Sequence, residues 1–407
     1  MSRLAVEGGT PVKSTPFPAW PHFDAGEREA LLAVLDSRVW WRTPGTQTAA
    51  FEAAFAAYHG VAHGIAVTNG TAALEVAMGA LGIGPGDEVI VPDFTFVATA
   101  TAVLNAGAMP VPVDVSAETF CLDPDQAEAA ITSRTKAIAV VHMAGHPTDM
   151  DRFDAIARRH GLALIEDASH AHGSEWRGQR VGSMGALGTF SFQQSKLMTA
   201  GEGGIVISAH DAIAARARSV HDCGRRPGEW FYAHFENGSN YRMTEWQGAV
   251  LRHQLARLDA QAAVRTRNAV RLRADLGAIP GITPQALDPR CTRHGYYAFI
   301  FHYDRRAFGG RPTEAFIRAL NAEGIPTQAS YPPIHALDLF THGAYRTRLA
   351  PPERDAPHAF LRAPFPETVR AAHETVWLPN PVLLGSDEEM TQMVEAVEKI
   401  RREFGGG

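Results

Sequence analysis

Cysteine is scarce in this chain of 407 residues, and long apolar runs are missing. Cys121, Cys223 and Cys291 are widely spaced and show no CxxC or other metal-ligand pattern. This usage is typical of free thiols in a reducing compartment and argues against structural zinc. No apolar run is long enough to span a bilayer, and the first ten residues lack the apolar segment of a signal peptide. We therefore expect a cytoplasmic protein with no membrane partner.

Basic charge is not in excess either. The 38 lysines and arginines are outnumbered by 44 aspartates and glutamates, for a formal net charge of −6. Proteins that bind nucleic acid or an anionic membrane surface usually carry a basic patch, so we expect no nucleic-acid partner. Hydrophobic residues make up 45% of the chain, and a chain of this length usually forms two domains with sizeable cores.

Runs of β-branched residues alternate with helical segments in the first part of the chain. The strand candidates cover residues 88–91, 109–115 and 137–141. This alternation predicts an α/β domain with a mostly parallel sheet. After a long helical segment over about 252–277, a strand candidate at 296–303 and helix candidates at 314–323 and from 386 indicate a smaller α/β domain. We predict an N-terminal arm and large domain over 1–275 and a small domain over 276–407.

One lysine lies between an apolar, β-rich run and a glycine-rich segment. The stretch 188–204 reads GTFSFQQSKLMTAGEGG, which places Lys196 in the loop after a strand. A lysine among apolar neighbours has its ammonium form disfavoured by desolvation, and this is the usual way to make an amine that forms a Schiff base. Most lysines are solvated surface charges, so this window alone also fits an ordinary surface residue.

A continuous apolar strand runs directly into Glu166 and Asp167. Such strands are buried on both faces, and open α/β sheets bind ligands at the carboxyl ends of their strands. Asp167 is therefore expected where a cofactor would lie. Pyridoxal phosphate (PLP) needs a carboxylate at its ring nitrogen as well as a lysine, and Asp167 with Lys196 would supply both.

Three histidines, His142, His170 and His172, follow predicted strand ends and could in principle bind a metal. No carboxylate or cysteine lies at a spacing from these histidines that is typical of a metal site, so we predict no metal site.

The segment Asn69-Gly-Thr-Ala72 lies between a short buried strand and a helix. A helix N-terminus after such a turn suits a phosphate group, although an ordinary βα turn would look the same.

Five motifs together resemble the DegT/StrS family of PLP-dependent sugar and cyclitol aminotransferases over nearly the whole chain. They are NGTAA at 69–73, PDFTFVAT at 92–99, EDASH at 166–170, SFQQSK at 191–196 with GEGG at 201–204, and GSNYRM at 238–243. The resemblance implies the aspartate aminotransferase-like fold, known as fold type I. That fold has a large domain with a mostly parallel seven-stranded sheet and a smaller C-terminal α/β domain.

The resemblance also implies a role for each matching residue. Lys196 matches the Schiff-base lysine, Asp167 the partner of the ring nitrogen, and Phe96 the ring that stacks on the cofactor. His170 matches a position, often glutamine, that hydrogen-bonds the cofactor's phenolic oxygen. Asn240 matches an asparagine that reaches the phosphate of the neighbouring subunit, which implies a homodimer with composite sites. The other residues implied to hold the cofactor are Gly70, Thr71, Ala72, Ser191 and Gln193.

The family transfers an amino group from a small amino donor, here expected to be L-glutamine or L-glutamate, to a cyclic ketone. The sequence at 40–42, at 170–172 and around Lys196 resembles that of the aminocyclitol enzymes and 3-amino-5-hydroxybenzoate synthase. A keto-cyclitol acceptor in aminocyclitol antibiotic or other secondary-metabolite biosynthesis is therefore favoured. The candidate substrate contacts are Trp41, Arg42, Arg242, Tyr331 and His335.

Other functions compete with this one. A benzoate synthase-like dehydratase and aminotransferase, or a keto-sugar nucleotide aminotransferase, would use the same cofactor site. A diphosphate needs clustered cations, and the segments expected at the pocket mouth, 40–46 and 331–335, contain only Arg42. Arg225 and Arg226, in a loop that the sequence does not position, are the alternative cations. A PLP-binding regulator without turnover, or a sugar dehydratase with histidine in place of the lysine, is disfavoured by the intact Lys196 and Asp167.

Overall fold

The computed structural model describes residues 3–351, 353–355, 358 and 364–405. Short 3-10 helices connect several of the larger elements. The α-helices are α1 Ala25–Ser37, α2 Gln47–His59, α3 Gly70–Leu81, α4 Ala98–Asn105, α5 Pro124–Ala129, α6 Met150–His160, α7 Asp211–His221, α8 Glu245–Gly277, α9 Thr313–Ala322, α10 Asp338–Thr341, α11 Pro366–Glu374 and α12 Asp387–Gly405. None of these helices is both long enough and apolar enough to cross a membrane.

A seven-stranded sheet forms the centre of the large domain, as predicted. Its order is β1-β9-β8-β5-β4-β2-β3, and only β9 runs against the direction of the other strands. The strands are β1 His63–Val67, β2 Glu88–Pro92, β3 Met109–Val113, β4 Thr135–Val141, β5 Ala163–Asp167, β8 Leu187–Ser191 and β9 Gly204–Ser208. Almost every residue of these strands is buried, because helices cover both faces of the sheet.

Two smaller antiparallel sheets complete the fold. One has the order β10-β12-β14-β13 and belongs to the C-terminal region, and the other has the order β11-β6-β7. Their strands are β6 Glu175–Trp176, β7 Gln179–Arg180, β10 Ile282–Pro284, β11 Cys291–Arg293, β12 Ala298–Tyr303, β13 Gln328–Ala329 and β14 Thr375–Pro379.

Local sequence signals explain where several helices begin and end. Asp24 and Glu27 form a capping box at the start of α1, as the spacing of an acidic N-cap and a glutamate at N3 predicts. Thr244 and Gln247 form the same motif at the start of α8. Helix α2 ends at His59, and the next residue, Gly60, caps it with a φ of 71° that a glycine adopts without strain.

The long helix α8 connects the two cores. Leu258 packs in a core beneath the central sheet, whereas Leu272 and Leu276 pack in the core of the four-stranded sheet. Leu4 and Phe17 of the N-terminal arm pack in this second core too. The arm is therefore built into the C-terminal core, although it lies at the other end of the sequence. The boundary near residue 275 stays a prediction.

Candidate active site

The carboxyl ends of neighbouring parallel strands meet at one edge of the central sheet. Asp167 is the last residue of β5, Ser191 is the last residue of β8, and Lys196 follows in the next loop. Asp167 and Lys196 are 29 positions apart, and the pairing of strand β5 with β8 brings both to the same edge. A cavity of about 740 Å³ opens there, and Tyr297 and Tyr331 of the C-terminal region close its far side.

The amine of Lys196 is buried in this cavity. The residue is 9% exposed, and its Nζ lies 4.6 Å from the centre of the Tyr297 ring. Burial lowers the pKa of Lys196 from its ordinary value of 10.5, and the charges of Tyr297 and Asp167 oppose this shift only in part. A lower pKa increases the fraction of neutral, nucleophilic amine at pH 7.

The carboxylate of Asp167 is buried and held by two hydrogen bonds. Its Oδ2 accepts a 2.9 Å hydrogen bond from the Thr99 hydroxyl, and its Oδ1 accepts a 3.2 Å bond from the backbone N–H of Ser169. Its neighbour Glu166 has a different task. That side chain lies 3.1 Å from the His142 ring and accepts backbone hydrogen bonds from the loop after β7. Of the two acidic residues, only Asp167 lines the cavity.

The N-terminus of α3 forms one wall of the site. The Asn69 side chain caps the helix by accepting a 2.8 Å hydrogen bond from the backbone N–H of Ala72. Helix and sheet are in close contact here, because a Cβ on Gly70 would lie 2.6 Å from the Cβ of Ser191. First-turn N–H groups have no acceptor within their helix, so this end can bind an anion beside the Ser191 hydroxyl.

Aromatic rings line the opposite wall. The His170 ring stacks on Tyr297, with centroids 4.1 Å apart and planes 9° from parallel, and its Nε2 lies 3.2 Å from the Tyr331 hydroxyl. Burial lowers the pKa of His170 well below its ordinary value, with smaller contributions from Lys196 and His172, so the ring is neutral at pH 7. Its Nδ1 has no hydrogen-bond partner in the described part of the chain.

The cavity brings together most of the residues predicted to hold a cofactor. Phe96, which is 53% exposed, lies at its mouth, and its ring centre is 6.0 Å from that of Tyr331. The predicted residues that line the cavity are Gly70, Thr71, Ala72, Phe96, Asp167, His170, Ser191, Gln193, Lys196 and, of the substrate candidates, Tyr331.

Five predicted residues lie outside this lining. Asn240 is exposed and forms a β-bridge with Asp222. The exposed Trp41 lies beneath the guanidinium group of Arg242, 5.5 Å from its ring centre. The remaining side chains have acidic partners: Arg42 with Glu52 at 2.5 Å, Arg242 with Asp222, and His335 with Asp93 at 2.6 Å.

Several lining residues were not predicted from the sequence. Thr99 lies inside the PDFTFVAT motif, and its contact with Asp167 could have been inferred from that position. Tyr297 is about 100 residues from Lys196, and no local pattern marks it. Glu75 and Tyr241 both line the cavity, and burial together with the hydrogen bond to Glu75 raises the pKa of Tyr241 to about 12.

These side chains fit PLP. A buried amine and a buried carboxylate meet at one sheet edge, a helix N-terminus lies against Ser191, and a buried histidine leaves a ring nitrogen free to hydrogen-bond a ligand. Together with the mostly parallel seven-stranded sheet, they define the class of fold-type-I PLP enzymes. The model of the DegT/DnrJ/EryC1/StrS aminotransferase family matches residues 21–398, and the chain belongs to this family of PLP-dependent aminotransferases.

Individual relatives cover almost the whole chain. The chain is 42% identical to 3-amino-5-hydroxybenzoate synthase of Amycolatopsis mediterranei, over 95% of this chain and 97% of that protein. It is 39% identical to L-glutamine:2-deoxy-scyllo-inosose aminotransferase of Streptoalloteichus tenebrarius, over 99% and 98%. A crystal structure of 3-amino-5-hydroxybenzoic acid synthase superposes with a TM-score of 0.87 at 41% identity, covering 95% of this chain and 99% of that one.

Proposed function

We propose that this protein is a PLP-dependent aminotransferase that transfers the amino group of L-glutamine to a neutral keto-cyclitol. The charge of the cavity carries this proposal. Its lining contains Lys196 and the acidic side chains of Asp167, Glu75 and Glu202, and no arginine among the described residues. A polyhydroxylated ring without charge suits this lining, whereas a diphosphate would lack the arginine or lysine cluster that normally neutralises it.

Residues of this chain would hold the cofactor as follows. The first turn of α3 and the Ser191 hydroxyl would bind its phosphate, Phe96 would cover its ring, and Asp167 would keep its ring nitrogen protonated. PLP, when bound, supplies an electron sink that lets an amino group leave one carbon atom and enter another. Lys196 would form the covalent link to the cofactor, and its Nζ, once free of that link, would carry the proton between carbon centres.

Neighbouring side chains orient Asp167 and shield Lys196 from water. Thr99 fixes the orientation of the Asp167 carboxylate through its 2.9 Å hydrogen bond. Tyr297, His170 and Tyr331 form a stacked wall that excludes water from the amine. The Nδ1 of His170 has no hydrogen-bond partner among the described residues, and the phenolic oxygen of the cofactor is its proposed partner.

The two alternative functions, benzoate synthase and keto-sugar nucleotide aminotransferase, differ from the proposed one in the charge of the substrate or product. A benzoate synthase makes a product that bears a carboxylate, whereas the acidic side chains in the described cavity lining outnumber its one lysine. A keto-sugar nucleotide would bring two phosphate charges. The chain is similar to both a benzoate synthase and a scyllo-inosose aminotransferase. An experiment that distinguishes these functions must therefore compare acceptors.

The test is a comparison of acceptors with purified, PLP-loaded protein and L-glutamine as donor. We expect kcat/KM for 2-deoxy-scyllo-inosose or scyllo-inosose to exceed that for keto-sugar nucleotides and for carboxylated cyclohexenones by at least an order of magnitude, about 1.4 kcal/mol of discrimination. A preference for either charged acceptor would refute the proposed substrate class and leave the aminotransferase assignment intact.

We also propose that the protein is a homodimer with composite sites and that it works in the cytoplasm. Asn240 is exposed and lies outside the lining of its own chain's cavity, which suits a contact with a second subunit. Trp40 and Trp41 are 49% and 45% exposed, and an apolar surface of this kind commonly marks an interface. The three cysteines form no disulfide, in keeping with a reducing compartment.

A further inference from the structure

A second cavity, of about 410 Å³, adjoins the active-site cavity beside the C-terminal region. The two cavities share Gln193, Ser195, Tyr297 and Gln328 in their linings. Hydrogen bonds run through this common wall: the Ser195 hydroxyl donates to Gln193 Oε1 over 2.7 Å and lies 3.1 Å from the Tyr297 hydroxyl. Lys196 follows Ser195 in the chain, so the second cavity lies against the loop that carries the reactive amine.

The second cavity has no charged wall. Its described lining residues offer carboxamides, hydroxyls, an indole and two prolines, with no Asp, Glu, Lys, Arg or His among them. An ionised carboxylate or phosphate loses its hydration in such a site and gains no countercharge, which is costly. The cavity therefore selects against ionised ligands and suits neutral groups that form hydrogen bonds.

Asn380 lines this cavity, and its side-chain oxygen accepts no hydrogen bond from the described residues. The residue is 1% exposed, and its Nδ2 donates a 2.9 Å hydrogen bond to the backbone oxygen of Ser195, which fixes the orientation of the amide. Its Oδ1 is buried and has no hydrogen-bond partner within the described ranges. An unsatisfied buried acceptor is costly, and a ligand hydroxyl in this cavity is the donor that our inference assigns to it.

Trp20 gives the same cavity a flat apolar wall. Its indole N–H donates a 2.7 Å hydrogen bond to the backbone oxygen of Gln194, so the N-terminal arm is fixed against the loop that carries Lys196. Exposed carboxamides of Gln194 and Gln328 complete the lining. An aromatic face beside hydroxyl-binding amides matches a saturated ring, whose C–H face is apolar and whose edge carries hydroxyls.

We infer that the second cavity binds the hydroxyl-bearing side of a neutral cyclic polyol, remote from the carbonyl carbon that reacts at Lys196. The inference rests on the proposed function and deepens it, because it assigns selectivity for ring hydroxyls to Trp20, Gln328 and Asn380. The α-carboxylate of the amino donor does not suit this uncharged lining.

The experiment separates the two substrates with PLP-loaded wild type, Trp20→Ala, Trp20→Phe and Gln328→Ala. Gln126→Ala is the matched control, since Gln126 is exposed in α5 and lines neither cavity. In Trp20→Ala and Gln328→Ala we expect the KM for the cyclic ketone to rise on the order of tenfold, which corresponds to one or two lost contacts. In Trp20→Ala the single-turnover rate of the donor half-reaction with L-glutamine should not change, because Trp20 lines the second cavity and not the main one.

A binding measurement provides a readout that is independent of turnover. scyllo-Inositol has the ring hydroxyls but no carbonyl group, and its affinity can be measured by saturation-transfer NMR. The affinity should fall in Trp20→Ala and Gln328→Ala and stay at the wild-type value in Gln126→Ala. Trp20→Phe retains a ring without the N–H group, so it should keep more of the affinity than Trp20→Ala and serves in its place if that variant does not fold.

Two results would overturn the inference. One is an unchanged inositol affinity and ketone KM in the variants, and the other is a slower donor half-reaction with an unchanged ketone KM, which would assign the cavity to the glutamine side chain. Failure of the proposed function has a different signature, because wild-type protein would then prefer charged acceptors whatever the variants do.

Discussion

Lys196 is the residue on which the proposed chemistry depends, because its amine is buried beside Asp167 and Tyr297. We expect borohydride reduction of the PLP-loaded protein to attach the cofactor to Lys196, as mass spectrometry of the digested chain would detect. Lys196→Ala should bind PLP only reversibly and lose amination. Attachment to another lysine, or normal turnover by the alanine variant, would refute the assignment.

The same burial predicts a cost in stability. A basic group whose pKa is lower in the folded than in the unfolded state destabilises the fold. This loss of stability is complete at pH values below the folded-state pKa, and it decreases to zero as the pH rises to the unfolded-state pKa. Because burial lowers the pKa of Lys196 from 10.5, PLP-free Lys196→Met should have a higher free energy of unfolding than PLP-free wild type at neutral pH. This advantage should shrink as pH rises towards 10.5.

Urea titrations of both proteins at about pH 7 and about pH 10 would measure this difference. The exposed Lys136 of β4 provides the control, since Lys136→Met should change the free energy of unfolding equally at both pH values. An advantage of Lys196→Met that is absent at neutral pH would show that the amine is solvated.

Asp167 should act through its charge, since a neutral amide of the same shape cannot keep the ring nitrogen of the cofactor protonated. Asp167→Asn should fold and bind PLP, and its kcat should fall by several orders of magnitude. Thr99→Val should lower kcat much less, because it removes only the hydrogen bond that orients the carboxylate. Steady-state kinetics test this order, with the exposed Asp36→Asn as control. Near-normal rates in Asp167→Asn would exclude Asp167 from the mechanism.

At the scale of elements, the contact between α3 and β8 should control retention of the cofactor. An alanine Cβ at position 70 would lie 2.6 Å from the Ser191 Cβ, so Gly70→Ala must push the helix N-terminus away from the serine. Overpacking of this kind costs about 1–3 kcal/mol, so the Kd for PLP should rise on the order of tenfold or more.

Fluorescence titration of PLP-free protein with PLP measures this Kd. Gly84→Ala is the matched control, because a Cβ there has only the Ala106 carbonyl oxygen nearby, at 3.9 Å. An unchanged Kd in Gly70→Ala, with normal folding, would show that the phosphate does not bind at this helix end.

Elements with strong local signals could be predicted from the sequence. The β-branched runs of the central sheet, the capping box of α1 and the strand before Lys196 all depend on neighbouring residues, and the structure confirms them. The sheet formed by β6, β7 and β11 was not predicted, because strands of two or three residues show no periodicity.

Within the site, motif residues were easier to predict than tertiary neighbours. Lys196 and Asp167 follow apolar strands, so their shared position at the sheet edge could be inferred from the sequence alone. Tyr297 is held beside the large domain by a 2.9 Å hydrogen bond from its backbone N–H to the Ala144 oxygen, and no local pattern reports that contact. Electrostatic partners are equally non-local: Arg42 pairs with Glu52, and Arg242 with Asp222.

At the scale of the whole molecule, one chain leaves a large aromatic surface exposed. Trp230 and Tyr232 are 72% and 64% exposed, and both belong to the loop region that leads to Asn240. Packing of this surface against a second copy would bury these rings. A two-fold symmetric dimer would bury them on both chains at once and would place each Asn240 beside the other chain.

The proposed composite site makes an unusual prediction for mixtures of inactive chains. Lys196→Ala removes the amine, and Asn240→Ala removes the phosphate contact offered to the partner. In a heterodimer of the two variants, one site combines both defects and the other has both residues intact. Random reassociation of equal amounts should therefore restore up to about a quarter of wild-type kcat per chain, because half of the dimers are mixed and each has one of two sites intact.

The measurement needs subunit exchange under mild denaturant, followed by refolding with PLP and an amination assay. Each variant refolded alone is the control and should remain impaired. If Asn240 contacts the phosphate within its own chain, no site in the mixture has both residues, and activity will not exceed the average of the two controls. Recovery above that average therefore distinguishes a shared site from an independent one, because only a shared site can combine the lysine of one chain with the asparagine of the other.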